Sequence, residues 1–108
     1  MDELHAKFLP QFVEIARLRV ATAVKAVSER DHAAMPKIIR ELHSLAGDAG
    51  LLGLRDVVPL ARDGEHRAKA LHVSRSDGDA DALTAALHQL DHVIERIGAA
   101  NSAKRGDS

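Results

Sequence analysis

Four amphipathic stretches joined by short polar links predict an all-α chain folded as an antiparallel four-helix bundle. Three observations lead there. Alanine and leucine dominate a hydrophobic share of 45%, while aromatic residues make up 2%, a balance that favours helices over sheets. Apolar residues recur at spacings of three and four instead of alternating. The links between these stretches are short enough for neighbouring helices to run antiparallel. A chain of 108 residues is long enough for one buried core, expected over residues 1–98, with a small and polar tail over 99–108 expected to be disordered.

Residues 2–9 read as a helical start interrupted by Pro10, either a short extra N-terminal helix or a kink. Residues 11–29 form the first long helix, with Phe12, Ile15, Ala16, Val20, Ala23 and Val27 on its apolar face. Asp31 is placed to cap the second helix, which Pro36 sets to begin near Met35 and which runs to about Leu52. Gly53 and Leu54 mark the turn into a third helix over 55–72, with Val57, Val58, Ala61, Ala68 and Leu71 inward. Gly64 interrupts that inward stripe, which points to close contact with a neighbouring helix. Residues 73–79 read as a loop, with Asp77 or Asp79 capping a fourth helix. Leu83, Leu87, Leu90, Ile94 and Ile97 form its stripe, and Gly98 is expected to end it.

The bulk properties exclude several function classes. A net charge of −1 and the scarcity of aromatic rings argue against nucleic acid as a partner. No apolar run approaches the ~20 residues of a bilayer span, and the acidic N-terminus lacks a signal-peptide profile, so a membrane is not expected as a partner. With no cysteine there is neither a disulfide framework nor thiol chemistry, which is compatible with a cytoplasmic protein.

One stretch stands apart, His43 to Leu54. Leu42, Leu45, Ala49 and Leu52 draw a buried stripe, and His43 is turned away from its middle. Gly47 and Gly50 follow four and seven residues later on the histidine's own face. Interior helix glycines cost roughly 1 kcal/mol each relative to alanine. Either residues 47–50 break the helix as a turn, or the glycines keep the ground beside an exposed imidazole bare for another molecule; the stripe continuing in phase favours the latter.

The pattern resembles the histidine phosphotransfer (HPt) family, whose motif is a histidine, any residue, an aliphatic residue, usually a lysine, and a glycine, with another glycine six residues on. His43, Leu45, Gly47 and Gly53 fill those places, and Ala46 stands where the lysine is usual. The resemblance implies a helical bundle that carries a phosphoryl group on His43 between receiver domains, those of a hybrid histidine kinase and of a response regulator. It implies a carrier without autonomous kinase activity and with no cofactor bound by this chain, Mg²⁺ being expected on the partner receiver domain.

Imidazole suits that task, being nucleophilic and substantially neutral near its unperturbed pKa of ~6.5. On this reading Gly47 and Gly50 leave room for the receiver, and Arg40 supplies part of the positive charge that Ala46 lacks. If helices two and three are antiparallel about Gly53 and Leu54, Glu65 lies as far past the turn as His43 lies before it. The related chemotaxis-kinase phosphotransfer domains have a glutamate at the matching place, bonded to the active histidine. Glu65 either accepts from Nδ1–H in this way or forms an exposed i,i+4 pair with Lys69.

Two other readings remain. A bundle of the same ancestry can dock receivers without being phosphorylated, and Ala46 is the feature that supports it. A metal-binding bundle would use His88 and His92, which share a face of the fourth helix with Asp91 and Glu95. No P-loop and no nucleophile–base–acid triad can be assembled.

Overall fold

The computed structural model describes the backbone of residues 3–106 and the side chains of residues 7–101. It consists of four helices, α1 (Glu3–Ser28), α2 (Met35–Leu51), α3 (Val57–Ser74) and α4 (Asp77–Gly106), with a 3₁₀ turn, His32–Ala34, leading into α2. No strand is found among the described residues. Contacts run α1 to α2, α2 to α3, α3 to α4 and α4 back to α1, the ring of an up-down-up-down bundle. The α2–α3 interface is the most extensive and the α1–α2 interface the sparsest of the four.

The core is a set of aligned stripes. Ala16, Val20, Ala23 and Val27 come from α1, Ile38, Leu42, Leu45 and Ala49 from α2, Ala61, Ala68 and Leu71 from α3, and Leu83, Leu87, Leu90 and Ile94 from α4. Each set keeps the three- and four-residue spacing that turns one face inward. Ile15, expected in the core, is instead 49% exposed. It sits on the edge of the α1 stripe, where the loosely packed α1–α2 side leaves it uncovered.

The helix ends depart from expectation in four places, each for a local reason. Pro10 neither ends a separate helix nor begins one. It lies inside α1, which forgoes one backbone hydrogen bond there and continues because its apolar face goes on packing. Asp31 precedes the 3₁₀ turn and makes no side-chain cap; the chain leaves α1 there through the left-handed Arg30, and the Asp31 N–H returns to the Ala26 carbonyl at 2.9 Å.

The link between α3 and α4 is two residues, Arg75 and Ser76, in place of the seven-residue loop expected. Arg75, at φ 55°, ends α3. Ser76 caps α4, its Oγ accepting from the Asp79 N–H at 3.1 Å, while Asp77 and Asp79 lie in the first turn, where the helix dipole favours acidic side chains. Gly98 does not end α4, which runs on to Gly106. A Cβ at position 98 would lie 2.9 Å from Val13 Cγ1, so the glycine allows α1 and α4 to close together. The disorder expected over 99–108 falls largely on residues whose side chains lie outside the described ones.

Candidate functional site

The site is built on the α2–α3 hairpin, and its turn sets the register. Gly53, at φ 71°, follows α2 in the left-handed conformation. The Gly53 N–H reaches the Gly50 carbonyl at 3.1 Å and the Leu54 N–H reaches that of Ala49 at 2.9 Å. Those two bonds form a Schellman ending, which reverses the chain tightly and sends α3 back along α2. Gly53 is therefore a turn glycine. Residues 47–50 are helical, so the glycines there do not break α2.

Gly64 then draws the two helices together. A Cβ at position 64 would meet the two methyl carbons of Leu42 at 3.5 and 3.6 Å, so the backbone of α3 rides directly on that leucine. The next residue on each helix, His43 and Glu65, turns outward from this contact. Leu42 and Leu45 are buried on either side of His43, and 77% of the imidazole side chain is exposed.

The His43 ring nitrogen Nδ1 lies 3.2 Å from Glu65 Oε1. Lys69 Nζ lies 3.1 Å from the other oxygen, Oε2. The two alternatives for Glu65 therefore hold at once, one partner for each oxygen. Partial burial pushes the Glu65 carboxyl up, yet the hydrogen bonds and charges of Lys69 and His43 together outweigh burial and hold it below its ordinary value. An ionised carboxylate can only accept. A neutral His43 ring bonded to it carries its hydrogen on Nδ1 and keeps the lone pair on Nε2.

These side chains border an open pocket of about 490 Å³. His43, Ala46 and Gly47 line it from α2, and Arg62, Glu65, His66 and Lys69 from α3. Nothing lies within 4 Å of where a Cβ at Gly47 or Gly50 would be, so the ground beyond the histidine is bare. Gly50 is exposed but does not line the pocket, and Arg40, exposed one turn before His43, does not line it either. Ala46 is only 5% exposed and belongs to the core as well as to the pocket wall.

The polar face of α4 gathers no metal site. Asp91 and Glu95 instead face Arg17 of α1, at 3.2 and 3.7 Å, and the hydrogen bond to Asp91 raises the Arg17 pKa. Among the described residues no three His, Cys, Asp or Glu side chains converge in a way that would hold a metal ion. None of the described helices is long and apolar enough to cross a membrane.

The model of the Hpt domain family matches residues 7–100. The chain belongs to that family. An Hpt domain is a phosphoryl carrier module that works by histidine phosphotransfer in a phosphorelay, and such domains interact with the receiver domains of two-component systems. No curated protein and no solved structure matches the chain.

In this Hpt domain the structure adds residues to the site that sequence reasoning did not place there. Arg62 and His66 carry no motif of their own in the sequence, and Lys69 is marked there only by its i,i+4 spacing from Glu65. The turn that sets 65 across from 43 also sets 62 across from 46, so the counting that found Glu65 leads to Arg62 as well. Leu51, one turn beyond Gly47 and off the buried stripe, is 89% exposed. With Phe8, Phe12 and Ile15 it borders an apolar groove of about 360 Å³ between α1 and α2.

Proposed function

We propose that His43 is the phosphoryl-accepting residue of this Hpt domain. It takes the group from an aspartyl phosphate on the receiver domain of a hybrid sensor kinase and passes it to the receiver of a response regulator. The Nε2 lone pair forms the N–P bond as the bond from phosphorus to the aspartate oxygen breaks, and that electron pair leaves with the carboxylate. The Nδ1 hydrogen stays in place, so the ring gains positive charge beside the Glu65 carboxylate. Transfer onward is the reverse step onto another aspartate. Mg²⁺ on the receiver would neutralise charge on the phosphoryl oxygens; this chain orients the imidazole and offers it in the open. Relays of this kind place the chain in the cytoplasm.

The observation that carries the reading is the 3.2 Å contact of an exposed His43 with Glu65, which leaves Nε2 as the free nucleophilic atom. The apolar groove supports docking beside it. Leu51, Ile15 and Phe8 are 89%, 49% and 39% exposed, an uncovered patch next to the glycine-bared turn of α2. The rival, a module that docks receivers without accepting phosphate, draws on Ala46. Incubation with a phosphorylated receiver separates them. Label should appear on the wild type and be absent from His43→Gln; label on neither protein, with receiver binding intact, makes the chain a docking module.

A further inference from the structure

With Ala46 in place, α2 brings no lysine or arginine to the pocket beside His43, and the opposite helix supplies one. The register that brings 43 to 65 brings 46 to 62, and Arg62 lines the same pocket wall as Ala46 and His43. Its guanidinium has no hydrogen-bond or ion-pair partner among the described residues, whereas Glu65 and Lys69, which line the pocket with it, are engaged. Lys69 is held by Glu65 at 3.1 Å, and Glu65 also by His43 at 3.2 Å. Arg62 is thus the cation of the pocket whose charge is not already drawn to a carboxylate. Arginine is always charged and presents a planar fork of donors matched to phosphoryl oxygens.

We infer that Arg62 binds the phosphoryl group on His43, meeting from α3 the charge that α2 does not meet at Ala46. This rests on His43 being the acceptor. The labour within the pocket is then divided by chemistry. Lys69 neutralises Glu65 and fixes it, Glu65 fixes the Nδ1 side of the ring, and Arg62 reaches the oxygens of the group carried on Nε2. Because Arg62 and Lys69 flank Glu65 one turn to either side on α3, the cation that holds the carboxylate need not release it when the phosphoryl group arrives.

The test uses phosphoramidate, a small donor that labels imidazole without any docking partner, on the full chain as wild type, Arg62→Gln, Arg62→Lys and His43→Gln. Arg62→Gln should slow the labelling of His43 on the order of tenfold, the loss of one charge-assisted hydrogen bond, with its circular dichroism and thermal melt unchanged. Arg62→Lys should recover part of the rate, since a point charge replaces the fork. Labelling of Arg62→Gln at the wild-type rate would overturn the inference, and so would an Arg62→Lys rate no better than that of Arg62→Gln. Absence of label on wild type from both phosphoramidate and a phosphorylated receiver would instead remove His43 as the acceptor.

Discussion

Replacing Glu65 by glutamine keeps the shape of the side chain and an acceptor oxygen but removes the charge. The value of that charge follows from the geometry. Unit charges at the 3.2 Å separation of His43 Nδ1 and Glu65 Oε1 attract by about 1.3 kcal/mol in water and about 5 kcal/mol at an effective dielectric of about 20. The imidazole is 77% exposed and Lys69 already draws on the carboxylate from 3.1 Å, so the lower end applies. About 1 kcal/mol less stabilisation of the ring's developing positive charge is a rate about fivefold slower. Single-turnover transfer from a phosphorylated receiver, quenched over time, measures it. Glu65→Ala should be slower still, because Nδ1 loses its acceptor and the ring becomes a mixture of tautomers, visible in the ¹⁵N–¹H spectrum of the His43 side chain. Wild-type rates in Glu65→Gln, or a single unchanged tautomer in Glu65→Ala, would refute the reasoning.

The same carboxylate makes stability depend on acid. The folded chain holds the Glu65 proton less tightly than the unfolded chain, so its contribution is complete above the unfolded value of about 4.3 and is lost as pH falls through the lower folded value. Lys69→Met removes the leading partner that lowers this pKa, so less stability should be lost on acidification, and the gap between wild type and variant should narrow as pH falls, as read by chemical denaturation from about pH 7 to 3. Two glycines should respond to alanine in opposite directions. At Gly64 the new methyl meets Leu42 at ordinary contact distance, 3.5 Å, and the helix gains up to about 1 kcal/mol. At Gly98 it meets Val13 at 2.9 Å, and a stiff β-branched neighbour turns the substitution into a loss of about 1 kcal/mol or more. Thermal melts that shift in the same direction would contradict this. Leu51→Glu, at a position 89% exposed, should leave stability within about 0.5 kcal/mol. It should slow transfer from a receiver while phosphoramidate labelling of His43 stays at the wild-type rate.

The interior of this fold was legible because burial imposes a period. Leu42, Leu45 and Ala49 in α2 and Leu83, Leu87, Leu90 and Ile94 in α4 announce their inward faces by spacing alone. The meeting of His43 and Glu65 was legible for a related reason, since a tight turn at Gly53 converts distance from the turn into opposition across it. What failed was the meaning of single residues with more than one use. Gly98 has the look of a helix end, and only Val13, some 85 positions earlier in the chain, distinguishes an ending from a close approach. Ser76 is masked by Asp77 and Asp79, which are equally good cap formers, although Ser76 with an acidic residue three positions on is itself a capping pattern. Ile15 and Leu51 show the limit of periodicity. An edge position is covered or left open according to how closely the next helix comes, and α1 stands off from α2 in a way no local pattern records.

His43, Glu65 and the Lys69 that steadies them belong to one hairpin of adjacent helices, closed by a single short reversal. Its contacts are near neighbours along the chain, so this unit can organise early in folding, before the outer helices are seated. The first and last helices complete the core without contributing an atom to the imidazole's own hydrogen bonding, while Phe8 and Ile15 of α1 share the apolar groove with Leu51 of α2. On the proposed function, substitutions on the α1 side of that groove should alter receiver docking while the hydrogen bonding of His43 stays as it was. The proposed landing ground thus shares α2 with the imidazole, and only its α1 half is free to vary without touching the helix that carries His43.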